Sequence, residues 1–368
     1  MPAAEKKSVE LLPKYRAAKS LESVTREFGF SADSIIKLAG NENRYGCSPK
    51  VAEAIREQAD NFSYYPDINI TELRNALSDK HKISPDNFIF GNGSFELISL
   101  IGAAYIDKDD EAIYNDPSFG WYLNTTKQNQ GIIVKVPVDK NKAVNVWEVL
   151  KAVTEKTKVI WLCNPNNPTG TLIPQNELKE FIESVPERVL IVLDEAYVDF
   201  IEGEYTDTVD FVRKHDNIIL LRTFSKAHGL ASFRIGYGIA DVKIIEALTK
   251  VKLPLNVSFT SQIAALAALK DTQFTDFVIK NNCSQLEYYY KEFERLGLRY
   301  IPSSGNFLLV EIGIDSSFAE LEFLKKGIVI RNGEEFGLPK WLRISVGKPE
   351  ENQKVIEALE IILKEAEK

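Results

Sequence analysis

The chain has 368 residues, 44% hydrophobic and 27% charged, with 45 Lys plus Arg against 53 Asp plus Glu for a net charge of −8. At about 100–200 residues per domain this suggests two domains or one large one; the composition excludes a mainly disordered chain, and no run approaches the roughly 18 apolar residues of a membrane span. Mild acidity argues against broad binding to nucleic acid or anionic membrane, so an anionic ligand has to be caught by a local cluster of cations.

The opening residues, MPAAEKKSVELLPKY, are mixed and charged and carry no secretory pattern. A helix follows, with Leu21, Val24 and Phe28 on one face. Residues 35–46 run from a short strand into a Gly/Asn loop, and helical patterns occupy 49–60 and 70–80. Seven short apolar runs then alternate with helical patterns, at 87–90, 111–114, 131–136, 158–163, 188–193, 217–221 and 233–240. Such runs suit strands buried on both faces, and the alternation predicts an α/β fold on a mainly parallel seven-stranded sheet between helices. Beyond 250, a helix-like segment over about 259–296 precedes three runs at 306–312, 327–332 and 341–347, and an amphipathic helix over 349–365 follows. This reads as a smaller α/β domain. The division places the large domain at 41–265, with 1–40 and 266–368 forming an N-terminal arm plus the small domain.

Cys47, Cys163 and Cys283 are odd in number and far apart, which suits a reducing, cytoplasmic compartment rather than a disulfide framework. His81, His215 and His228 are not spaced as metal ligands, and no metal site is expected. His81 and His215 read as surface residues among charged neighbours.

In α/β sheets, ligands bind beyond the carboxyl ends of the strands. After the run at 87–90 come Gly91-Asn92-Gly93-Ser94 and a helical pattern, a turn whose free N–H groups can cradle a phosphate. With Asp116 closing the next strand it half-matches a dinucleotide fingerprint, but it also fits a plain strand–helix turn. After 158–163 comes Asn164-Pro165-Asn166-Asn167-Pro168-Thr169-Gly170, an irregular turn that places amides at a strand end. After 188–193 come Asp194 and, three residues on, Tyr197. An acid directly behind apolar residues needs a cationic partner, unless it is a helix N-cap. After 217–221 come Thr223, Ser225 and Lys226, with Arg234 eight residues beyond the lysine. A lysine held at a strand end near a fixed guanidinium can act as an amine nucleophile, although most lysines are solvated surface groups.

Together these segments resemble the fold-type-I aminotransferases that use pyridoxal 5'-phosphate. The resemblance rests on N-P-N-N-P-T-G at 164–170, D-E-A-Y at 194–197, T-F-S-K at 223–226 and R-I-G-Y-G from 234. A closer resemblance, to the histidinol-phosphate aminotransferases of histidine biosynthesis, rests on K-L-A-G-N-E-N at 37–43, Y-Y-P-D at 64–67, G-N-G-S at 91–94, R-T-F-S-K-A-H-G-L-A at 222–231 and W-L-R-I-S-V-G at 341–347.

This likeness implies that the large domain binds pyridoxal phosphate and that Lys226 holds it covalently and moves a proton. It implies that Asp194 keeps the pyridine nitrogen protonated, and that Tyr197 and Asn167 hydrogen-bond the cofactor's phenolate oxygen. Gly93, Ser94, Thr223, Ser225 and Arg234 would take the phosphate. Phe119 would stack on the ring, or is an ordinary core residue. Tyr65 would reach the cofactor phosphate of a second subunit in a homodimer, or is a local turn residue. For substrate, the likeness implies Arg343, Arg331, Tyr15 and Asn41, Arg331 fitting a strand-end salt bridge equally well.

The implied reaction exchanges an amino group between histidinol phosphate and imidazole acetol phosphate on one side, and glutamate and 2-oxoglutarate on the other. Aromatic amino acid transamination is the nearest rival, and decarboxylation of an O-phospho amino acid a more distant one. Phe95 where relatives commonly carry an acid, His228 where Tyr is common, and Arg44 in the 43–46 loop depart from the pattern and bear on substrate rather than cofactor.

Overall fold

The computed structural model describes residues 5–10, 12, 14, 18–203 and 205–366. After the helix Leu21–Phe28 comes a two-residue strand, β1 (Ile36–Lys37). The seven apolar runs become β2 (Phe88–Gly91), β3 (Glu111–Asp116), β4 (Ile132–Pro137), β5 (Thr157–Cys163), β6 (Leu190–Asp194), β7 (Ile218–Thr223) and β8 (Gly236–Ala240). They form one sheet in the order β2-β8-β7-β6-β5-β3-β4. Its ladders are parallel except at β8, which runs antiparallel to both β2 and β7.

The apolar runs are continuous because the central strands are covered on both faces. Alternate residues enter opposite cores: Ile160, Leu162, Ile191, Leu193, Ile218 and Leu220 pack in one, while Val159, Trp161, Leu190, Val192, Ile219 and Leu221 pack in the other. Each buried aliphatic side chain contributes about 1.5–3 kcal/mol. β4 departs from the expectation of two buried faces. It lies at the sheet edge, paired on one side to β3, and Ile132 is exposed.

The second layer holds β9 (Arg299–Ile301), β10 (Phe307–Glu311), β11 (Ile328–Val329), β12 (Arg331–Asn332) and β13 (Trp341–Ser345). An antiparallel sheet has the order β12-β13-β10-β9, and β11 pairs parallel with β1. The run at 327–332 therefore splits at Ile330 between two sheets. The three-residue β9 had no apolar run to mark it. The helix-like segment at 259–296 is two helices, Phe259–Leu269 and Thr272–Arg295. Between them Asp271 turns its carboxylate to the Ser48 hydroxyl, at 2.5 Å. Leu308, Val310, Leu342 and Ile344 form a separate core with Tyr289 and Phe293 of the long helix, Leu359 of the helix Pro349–Ala366, and Ile36 and Leu38. The loop after β1 thus leaves the two-stranded β1–β11 sheet and reaches the strand ends of the large one, where Asn41 meets Tyr197. Among the described residues no helix is long and apolar enough to cross a membrane.

Candidate active site

Four polar strand ends of the large sheet meet the face of β12 and β13 across a cavity of about 1040 Å³. Gly93, Ser94, Phe119, Asn167, Asp194, Tyr197, Thr223, Ser225, Lys226 and Arg234 line it, as do Asn41, Arg331 and Arg343. Arg234 precedes β8 rather than following it, and reaches the same edge because β8 is inverted. Tyr65, expected at the site of a second subunit, does not line this cavity and is 87% exposed; Tyr15 lies outside the described residues.

Lys226 Nζ donates to Gly40 O at 3.1 Å and lies 5.6 Å from the centre of the Tyr197 ring. Burial, helped by the cations Arg343 and Arg234 and opposed by Glu42 and Asp194, lowers its pKa to about 8. The amine is thereby far more often neutral near physiological pH than an exposed lysine. Asp194 is buried, and burial raises its pKa to about 6. Its Oδ2 accepts from Tyr122 Oη at 2.7 Å and its Oδ1 from the Ala196 N–H at 3.2 Å.

Among the described residues Asp194 forms no salt bridge, so the cationic side-chain partner expected from sequence is not there. That argument applies instead to its neighbour. Glu195 accepts from Arg222 Nε at 2.8 Å, both side chains being buried. Arg222 also reaches Asp207 at 2.9 Å, and Asp207 lies 3.3 Å from His81 Nδ1. His81 is therefore not a surface residue. It is 5% exposed, and burial lowers its pKa.

Tyr197 Oη accepts from Asn41 Nδ2 at 2.9 Å, and burial raises the phenol above its usual range. Asn41 stands at φ 54°. Its N–H donates to Ser345 Oγ at 2.8 Å and its carbonyl accepts from Asn306 Nδ2 at 3.0 Å. One side chain on the crossing loop thus ties the small sheet to the strand-end tyrosine.

At the other end of the cavity, the helix Ser94–Tyr105 points its first N–H groups inward. Gly93 has φ 72°, and a Cβ there would sit 2.7 Å from an Arg234 guanidinium nitrogen. A Cβ on Gly236 would come within 2.5 Å of Ser94 N. Bare backbone at both positions lets the guanidinium close on the turn. Thr223 and Ser225 add a hydroxyl pair with oxygens 2.9 Å apart.

Phe119 is half-buried, edge-on to Phe95 at 5.1 Å and to Tyr122 at 5.6 Å. Asn167 Oδ1 accepts from Arg343 Nη1 at 2.7 Å, and Arg343 Nη2 donates to Ala39 O at 2.5 Å. Arg331 both lines the cavity and forms the strand-end salt bridge, with Glu335 at 2.7 Å.

The donor set suits pyridoxal phosphate. A buried carboxylate without a cation matches a pyridine N–H, the bare glycine turn with Arg234 matches a phosphate, and the lysine lines the same cavity. Sequence reasoning missed Tyr122, which meets Asp194 from 72 residues away, and the partners of Asn41. Nothing local marks either. The buried Glu195–Arg222 pair had a signal: a second acid directly after Asp194, behind the apolar run.

The family model described as "Aminotransferase class I and II" matches residues 33–359. The chain is 43% identical over 360 residues to histidinol-phosphate aminotransferase 2 of Carboxydothermus hydrogenoformans, covering 97% of this chain and 99% of that one. It is 42% identical over 356 residues to histidinol-phosphate aminotransferase of Caldicellulosiruptor saccharolyticus, covering 96% and 99%. The fold matches the crystal structure of histidinol-phosphate aminotransferase from Sinorhizobium meliloti in complex with pyridoxal-5'-phosphate, with a TM-score of 0.91, 26% identity and 98% of each chain covered.

Proposed function

The chain belongs to the class I and II aminotransferases, and from that premise we propose that it moves an amino group reversibly between histidinol phosphate and imidazole acetol phosphate on one side, and glutamate and 2-oxoglutarate on the other. Histidine biosynthesis uses the direction in which glutamate supplies the amino group and histidinol phosphate is formed. One observation carries the reading: a single cavity holds both a lysine amine shifted toward neutrality and two arginines from adjacent strands.

Pyridoxal phosphate, when bound, supplies an electron sink for the charge left when the substrate Cα loses its proton. Lys226 Nζ would anchor the cofactor, and its amine would move the proton at the substrate Cα. Asp194 holds a proton on the ring nitrogen, with Tyr122 and the Ala196 N–H fixing its two oxygens. Tyr197 and Asn167 would hydrogen-bond the cofactor's phenolate oxygen, with Asn41 orienting Tyr197. Gly93, Ser94, Thr223, Ser225 and Arg234 hold the phosphate, and Phe119 covers the ring. Arg343 and Arg331 take the substrate's anionic group, which bidentate guanidinium donors suit.

The same reading makes the enzyme a homodimer in which Tyr65 serves the neighbouring site. Phe62, Tyr64, Tyr65 and Ile68 are all exposed within one short stretch, which suits a surface covered by a second copy. It also places the enzyme in the cytoplasm, where its three free cysteines remain reduced. The domain division at 41–265 belongs to the same proposal.

The test is the visible spectrum of the protein loaded with pyridoxal phosphate while histidinol phosphate is added without oxo acid. Conversion to the pyridoxamine form is expected. An unmoved band overturns the donor assignment, with phenylalanine as the next titrant; release of carbon dioxide overturns transamination itself.

A further inference from the structure

Arg331 on β12 and Arg343 on β13 are directly opposite each other in the antiparallel ladder. Their side chains therefore leave the same face of the small sheet, and like charges so placed repel. The loop that follows β12 supplies the counter-charge. Glu335 Oε2 lies 2.7 Å from Arg331 Nη2. Both groups line the cavity, and at 11% and 21% side-chain exposure they are less solvated than an ordinary surface pair.

The turn that presents this carboxylate is short and braced. The N–H groups of Phe336 and Leu338 both donate to Gly333 O at 2.9 Å, and Gly337 closes the turn at φ 71°. The same turn lays the Phe336 ring 5.5 Å from the guanidinium carbon of Arg343. One loop thus sends a carboxylate to one arginine and a ring to the other.

We propose that Glu335 is an internal counter-anion: it occupies Arg331 at the substrate's anion subsite, and a substrate phosphate or carboxylate has to displace it. The inference deepens the aminotransferase reading of this cavity and rests on it. Displacement of an internal competitor weakens every ligand that uses Arg331 by one common factor, the inverse of the fraction of time the arginine is open. The subsite then stays clear of weakly bound ambient anions, while a substrate with further contacts retains useful affinity. A carboxylate that merely held Arg331 in place would act in the opposite direction, because removing it would weaken anion binding. The sign of one substitution separates the two roles.

The experiment uses the cofactor-loaded enzyme and takes inorganic phosphate and sulfate as probes, each measured as a competitive inhibitor of an amino-donor half-reaction. In Glu335→Gln, the inhibition constants of both anions are expected to fall by the same factor, roughly five-fold. The KM of a phosphorylated donor falls with them, and the effect appears in KM rather than kcat. Inhibition constants that stay level or rise overturn the proposal. Should the glutamine variant not fold, Glu335→Asp draws the carboxylate back by one methylene and is expected to give a smaller fall; a rise there overturns the proposal equally. Any donor that converts the bound cofactor can report the probes, glutamate included. Failure of histidinol phosphate as donor therefore leaves this result readable.

Discussion

The carboxyl edge of the large sheet and the β12–β13 ladder face the same cavity and handle charge differently. On the cavity side of the sheet edge, Asp194 and Lys226 arrive on separate strand ends and neither forms a salt bridge among the described residues, while the Glu195–Arg222 pair lies outside the cavity lining. Asp194 meets a phenol and an amide, and Lys226 meets a carbonyl. Burial acts on each without a neutralising partner, and the two pKa values move toward each other, up to about 6 and down to about 8. The small sheet instead sets two guanidiniums side by side and balances one with Glu335. Isolation adjusts proton affinity, which suits groups that hold or move protons. Pairing preserves charge, which suits groups that hold an anion.

The largest effect that could break this comparison is at Lys226. Lys226→Ala is expected to lose about 10²–10⁴-fold in turnover while retaining some cofactor through the phosphate contacts. Near-normal single-turnover rates in that variant would sink the division of labour. Arg343→Ala tests the other region. It should raise KM about ten- to hundred-fold, as loss of hydrogen bonds to a charged group does, and change the spectrum of the bound cofactor only slightly, through the lost hydrogen bond to Asn167. A disturbed spectrum with an unchanged KM would mean that the arginine serves the cofactor rather than the substrate.

The smallest effect is one of pH. The reactive form of Lys226 is the neutral amine, and its pKa is lowered from 10.5 to about 8. Cofactor uptake by the stripped enzyme should therefore speed up as pH rises through about 8 and level off above it. The sign of the stability linkage agrees. The folded state binds fewer protons here than the unfolded chain between about 8 and 10.5, so this group adds stability as pH rises across that window. An uptake rate still climbing steeply near pH 10 would show the lysine to be an ordinary one.

Much of the fold was readable because its signals are local. Seven apolar runs bounded by polar or glycine residues became seven strands of one sheet, and the residues around their ends came together in one cavity. The failures are equally specific. The pattern over 259–296 could not show the break at Asp271, whose carboxylate is drawn away by Ser48 from far along the chain. The run at 327–332 could not show that its halves join different sheets. His81 sits among charged neighbours in sequence, yet is buried against Asp207 and Tyr237 by the packing of the helix Thr71–His81 on the strand edge. The expectation of a cation for a buried acid was sound physics applied to the wrong member of an adjacent pair: Glu195 has the arginine.

By itself the sequence determined the α/β sheet and which polar residues stand at its strand ends, because hydrophobic periodicity and the residue that follows a strand belong to neighbouring positions. It could not determine which side chains face one another across the cavity. The Tyr122–Asp194 hydrogen bond, the bridge from Asn41 to Tyr197, and the opposed pair Arg331 and Arg343 with Glu335 beside it were decided by tertiary structure. Each depends on strand register and on a crossing loop, and so on the packing of residues far apart in the chain.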